Sequence, residues 1–138
     1  MPEGLSNMKV LSLLQPWASL VVSGFKKIET RSWTTAYRGP LLIHASLGKS
    51  GKPFARFPEI SRRIPDFSVL PFGAIIGEVR LEEVIRFEGG DDDFLRNITL
   101  EEKAFGDFSA GRYGFVLKNA VPFEEPIPAK GKLGLWEW

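Results

Sequence analysis

The longest regular pattern in this chain is a β-like segment, Ala74 to Phe87, in which Ile75, Gly77, Val79 and Leu81 alternate against Ile76, Glu78 and Arg80. The other strand-like segments are shorter: Val10 to Leu13, Lys27 to Trp33, Leu41 to Ser46, Tyr113 to Leu117, Ala120 to Phe123 and Leu133 to Trp138. Short strands of this number with a few short helices predict a mainly β (α+β) fold, a small closed or nearly closed sheet. Two or three short helices are expected. Pro16 suits a first helical position and Gly24 a stop, so the apolar stretch between them reads as a mostly buried helix. Its one polar stripe is Gln15, Ser19 and Ser23, spaced by four and therefore stacked, and a buried stripe needs hydrogen-bond partners. Thr99 followed by Glu102 has the form of a capping box for a short helix that Gly106 ends. Residues 47–73, with basic residues, prolines and Phe54, Phe57, Phe67 and Phe72, read as a long excursion over the mouth of the sheet with room for one short helix, and Gly89 to Asp93 as an acidic turn.

A chain of 138 residues, 43% hydrophobic and 25% charged, suits one globular domain. We expect that domain over residues 8–138, behind a loose tail of residues 1–7. The absence of cysteine excludes a disulfide framework, a thiol nucleophile and cysteine-held metals, and fits a cytoplasmic setting. With one histidine, His44, no metal site or cofactor is expected. No apolar stretch reaches the length of a membrane span and no signal-peptide pattern follows the N-terminus, so no membrane partner is expected.

The formal charge of +1 conceals an asymmetry. Between Gly24 and Arg63 stand nine basic residues (Lys26, Lys27, Arg31, Arg38, Lys49, Lys52, Arg56, Arg62, Arg63) against Glu29 and Glu59. The remainder, residues 64–138, is net acidic. Such a segment marks a polyanion-binding face if the fold keeps it together, and means nothing if the fold interleaves the halves.

The basic segment opens with Gly24-Phe25-Lys26-Lys27-Ile28-Glu29-Thr30-Arg31, a G-x-K-x-x-E-x-R arrangement. Glu29 and Arg31 share one face of an extended strand and can form an ion pair, either a plain structural pair or one that aims the guanidinium at a ligand. This octet resembles the signature of the ASCH domains, a branch of the PUA-like β-barrels. Leu11 to Leu20 with its Gln15-Pro16-Trp17-Ala18-Ser19 core, Arg31-Ser32-Trp33, Arg38-Gly39, Lys130-Gly131 and Leu135-Trp136 resemble the subgroup carried at the C-terminus of a transcription coactivator. The resemblance runs from about Met8 to the chain end and is weakest over residues 47–70 and 88–112.

What the resemblance implies is a barrel with a cleft beside the octet, binding RNA, another nucleic acid or a nucleoside-like small molecule. The ligand-binding set expected there is Gln15, Trp17, Ser19, Lys26, Arg31, Trp33, Arg38, His44 and Ser46, with the indoles offering stacking faces. A monomer is expected. The alternative is a small hydrolase: one branch of the family deacetylates a modified cytidine, and its catalytic group transfers by position to Lys26, Glu29 and Glu78. That branch has threonine where this chain has Glu29. Glu78 would sit either at the cleft wall or against an arginine. Other family members are ribonucleases, for which His44 is a candidate base; a hydrogen-bonded structural histidine is the other reading.

Overall fold

The computed structural model of the chain describes residues 7–89 and 92–138. Residues 1–6 of the expected tail, and Gly90 and Asp91 of the acidic turn, lie outside the described residues. Asn7 is not loose: its N–H donates to the Trp138 carbonyl at 3.2 Å.

Six strands, β1 (Lys9–Leu13), β2 (Ile28–Arg31), β3 (Gly39–Ala45), β4 (Ala74–Arg86), β5 (Tyr113–Pro128) and β6 (Leu135–Glu137), form one curled sheet in the order β2-β5-β4-β3-β1-β6. Among the described residues only β1 and β3 pair in parallel, and α1 (Trp17–Val22) lies in the connection between β1 and β2. Short helices α2 (Pro58–Ser61), α3 (Asp93–Arg96) and α4 (Leu100–Ala104), with 3-10 turns at Lys52–Arg56 and Phe67–Val69, complete the chain. The fold is thus mainly β, as the pattern predicts, with more helical turns than expected. Each added turn is too short to leave an apolar periodicity in the sequence.

The core forms where the concave side of the sheet meets α1. Ala18, Val21 and Val22 pack among Leu11, Leu13, Ile43, Val79, Leu81 and Phe115. Full burial of such side chains contributes about 1.5–3 kcal/mol each, which is what holds a helix of six residues that could not stand alone. A second cluster, Val10, Leu42, Ile75 and Trp136, covers the other face.

Two local departures from the sequence pattern matter for the site. In β4, Gly77 pairs with Ile43 and Ile75 with His44, leaving Ile76 as the extra residue of a bulge. The bulge turns Ile76 into the main core and breaks the alternation that would have put Glu78 beside it. In α4, Thr99 Oγ1 accepts from the Glu102 N–H at 3.1 Å, but Glu102 does not close a capping box; its Oε1 accepts the Lys27 N–H at 2.9 Å. Tyr113 to Leu117 and Ala120 to Phe123, expected as two strands, form one, because Asn119 absorbs the break at φ 55°, a conformation asparagine tolerates.

Candidate functional site

The octet lies where α1 turns into β2, and the sheet fixes its spacing. Glu29 and Thr30 pair with Phe115 and Gly114 of β5, so Glu29 and Arg31 emerge on one side of the strand and Ile28 and Thr30 on the other. Lys26 precedes the strand and is fully buried. Its ammonium donates to the carbonyls of Ile28 at 2.6 Å and Phe105 at 2.8 Å and lies 3.6 Å from Glu29 Oε1. Two hydrogen bonds and one ion-pair contact thus surround the ammonium, and such pairing is what makes a buried charge tolerable. Desolvation still pulls its pKa below the ordinary lysine value, against the pull of Glu29 and Glu102.

Glu29 bridges this buried lysine to the surface: Oε2 lies 3.0 Å from Arg31 Nε. Arg31 also donates from Nη2 to the Ser12 carbonyl at 3.0 Å, which ties β2 to β1 across the opening of the sheet. Its buried Nε meets Glu29 off the hydrogen-bond direction and has no aligned acceptor. Arg112, which the sequence did not single out, repeats the arrangement. Its Nη2 donates to the Thr30 carbonyl at 3.3 Å and its Nε lies 3.5 Å from Asp107 Oδ2, again unaligned.

These groups line a cleft of about 590 Å³, the size of a small-ligand site. Its wall includes Glu29, Arg31, Arg112, Trp17, Trp33, Phe54 and Ser46. Trp17 is held by Phe54, ring centroids 5.1 Å apart, and Trp33 stands edge-on to Phe115 at 5.3 Å. Both indoles are half-buried, placed by packing yet reachable. Of the expected ligand set, Trp17, Arg31, Trp33 and Ser46 converge on the cleft, and Glu29 from the expected catalytic group joins them.

The others do not. Lys26 lies beneath the cleft, behind Glu29. Gln15 is fully buried and its amide is satisfied: Nε2 donates to Ser19 Oγ at 2.8 Å and to the Pro71 carbonyl at 2.9 Å, while Oε1 accepts the Ser19 N–H at 3.0 Å. The polar stripe therefore pins the first turn of α1 to the end of the 47–73 excursion. Arg38 is exposed and donates to the carbonyls of Thr35 and Tyr37 in its own loop. Glu78 fills neither expected role: it is absent from the cleft wall, and among the described residues it forms no ion pair with an arginine. Past the bulge, alternation from the core residue Val79 turns it outward with Arg80.

His44 is the structural histidine. A carbonyl can only accept, so Nε2 carries the proton it donates to Ala129 O at 2.7 Å, and Nδ1 accepts from Ser12 Oγ at 3.1 Å. Ser12 Oγ in turn accepts the Trp136 Nε1–H at 3.0 Å. The chain of bonds is saturated without any ligand. Gly131 covers the ring so closely that a Cβ there would stand 2.6 Å from His44 Cε1, which accounts for glycine in the Lys130-Gly131 pair.

The charge asymmetry is largely dissolved by the fold. Arg62 and Arg63 pair with Glu101, and Lys26 sits between Glu29 and the buried Glu102. Of the nine basic residues in the 24–63 segment, only Arg31 lines the cleft. Among the described residues, no group of three or more His, Asp or Glu side chains is placed to hold a metal, and no helix is long and apolar enough to cross a membrane.

A curled six-stranded sheet with a helix in its concavity and a cleft at its open side defines a PUA-like β domain. More narrowly, the model of the family described as "ASCH domain" matches residues 11–126, and the chain belongs to that family. It is 31% identical to mouse and 30% identical to human activating signal cointegrator 1, in alignments that take in 98% of this chain. The chain spans 23% of the length of those relatives. Among solved structures it is similar to the ASCH protein of Zymomonas mobilis, with a TM-score of 0.59 at 18% identity over 96% of this chain and 87% of that one. That likeness concerns the fold.

Proposed function

We propose that the domain binds single-stranded RNA, seating an unpaired base in the cleft beside the octet. The observation that supports this most directly is the company Glu29 keeps there: two arginines whose buried Nε atoms lack aligned acceptors, and two indoles with Phe54. Aromatic side chains supply stacking that any base satisfies, and guanidinium groups bind phosphate. Glu29, ion-paired to Lys26 and Arg31, is an acceptor for the amino edge of a base. The family's general association with RNA binding supports the same reading, and the absence of cysteine is consistent with work in a reducing cytoplasm.

A hydrolytic role has less support. Lys26 is enclosed by main-chain carbonyls and Glu78 stands outside the cleft, so the three groups such a reaction would need are not gathered at one point. Titration of a fluorescent single-stranded RNA tests the proposal. Binding should weaken about tenfold on Arg31→Ala and on Arg112→Ala, and the salt slope should fall by about 0.7 for each phosphate no longer neutralised. Affinity unchanged in both variants would refute the cleft as the binding site, and release of a cleaved or deacylated product would favour the hydrolase.

A further inference from the structure

The 3-10 turn Lys52–Arg56 and the residue after it read Lys52-Pro53-Phe54-Ala55-Arg56-Phe57, basic and aromatic residues interleaved. Aromatic side chains normally bury most of their area, yet Phe54 is 43% and Phe57 47% exposed. They are not scattered. Phe57 stands edge-on to Phe54 at 5.8 Å, and Phe54 lies 5.1 Å from Trp17 in the cleft wall, so the three rings form a continuous file from the cleft outward. Lys52 and Arg56 belong to the same turn as Phe54, Arg56 directly before Phe57, and both are exposed. Among the described residues neither is in an ion pair, in contrast to Arg62 and Arg63 a few positions on; Lys52 acts on Asp66 only from beyond ion-pair distance.

We infer that this turn is the second part of the binding surface, a track on which the nucleotides next to the cleft-bound base stack on Phe54 and Phe57 while Lys52 and Arg56 meet their phosphates. The inference rests on the proposed RNA reading and extends it from one nucleotide to several. The occupant is a single strand, because stacking on exposed rings needs bases that are not already stacked in a duplex, and the charge on the same turn is complementary to phosphate. Core packing explains only part of the rings' placement: nearly half of each Phe surface is left in water, and an exposed apolar patch next to cations on an otherwise mixed surface is the pattern of an interaction site.

The test compares a mononucleotide set, the four ribonucleoside 5′-monophosphates, with an eight-nucleotide single-stranded RNA and the matching duplex. The proteins are the full chain, Phe57→Ala, and Lys52→Ala with Arg56→Ala. All three positions are exposed, and unchanged thermal melting confirms intact folding. The track requires the single strand to bind more tightly than any mononucleotide and than the duplex. Phe57→Ala should weaken strand binding about five- to tenfold, within the range expected when one base no longer stacks. The double variant should lower the magnitude of the salt slope by about 1.4, two phosphates on a single strand. Mononucleotide binding should not change in either. Equal strand affinity in all three proteins overturns the track while leaving the cleft standing; preference for the duplex overturns both the track and the unpaired-base reading of the cleft. If the unaltered chain binds neither mononucleotide nor strand, the RNA reading itself fails and the track falls with it.

Discussion

Lys26 and Glu102 show how one residue's role depends on what surrounds it. A charged lysine and glutamate suggest surface positions, yet both are buried and hold main-chain groups: Lys26 the carbonyls of Ile28 and Phe105, Glu102 the N–H of Lys27. Together they fasten α4 to the start of β2 and so set the floor on which Glu29 rests. Burial pushes the Glu102 carboxyl above its ordinary value of 4.5, outweighing the Lys27 N–H and the Lys26 charge. With the folded value raised, the folded state holds its proton more firmly than the unfolded one. This contribution to stability is therefore complete below pH 4.5 and is lost as pH rises through the raised value. Glu102→Gln keeps the carbonyl that accepts from Lys27 and removes the titration. In urea unfolding across a pH series, the stability difference between variant and parent should tilt toward the variant as pH climbs above 4.5. A constant difference would show that Glu102 titrates alike in the folded and unfolded chain. The carboxylates of Asp66, Asp92, Glu101 and Asp107 are held low by hydrogen bonds and act in the opposite sense in more acidic solution, so the difference curve isolates Glu102.

Among the elements, β4 carries the largest gap between pattern and structure. Its alternation identifies a long strand correctly, and the strand does run from Ala74 to Arg86. The one-residue bulge at Ile76 was invisible, because Ile75 and Ile76 are equally apolar and either can face the core. Gly77 is the residue that makes the bulge fit against α1: a Cβ there would lie 2.6 Å from Val22 Cγ1 and 2.7 Å from the Val121 carbonyl. Gly77→Ala should therefore lower stability by about 1–3 kcal/mol, as overpacking does, with the shift read from the urea midpoint. A loss below a few tenths would mean that α1 can move away from the sheet at little cost. The helix itself was legible from Trp17 to Val22 because tight burial leaves an apolar stripe. The number and bounds of the short helical turns in the 47–73 excursion were not, since they are ordered by a few anchors such as Ile60 and Phe67 rather than by a face.

For the whole molecule, charge is arranged in space and not along the chain. The basic segment reads as one block, but folding sets Arg62 and Arg63 against Glu101 of the acidic half and sinks Lys26 between two carboxylates. What stays available near the cleft is Arg31 with Arg112, and Lys52 with Arg56 on the adjoining turn. It follows that Arg62→Ala with Arg63→Ala should leave RNA affinity within about twofold and the salt slope unchanged, and should cost no more than the ~1 kcal/mol of exposed ion pairs. Filter binding at several salt concentrations checks this; a fall in slope like that expected for Arg31→Ala would show that the whole basic block faces the ligand. The sequence by itself determined the family, the mainly β architecture, the buried helix and the Glu29–Arg31 pair, because each is written in local spacing: a period of two, a period near four, or an octet. Tertiary structure alone decided that Arg112 joins the cleft, that Glu78 faces outward, that His44 is saturated by Ser12 and Ala129, and that Glu102 serves Lys27. Those outcomes depend on which distant segments meet and on a single extra residue in one strand, and neither quantity is carried by the local order of side chains.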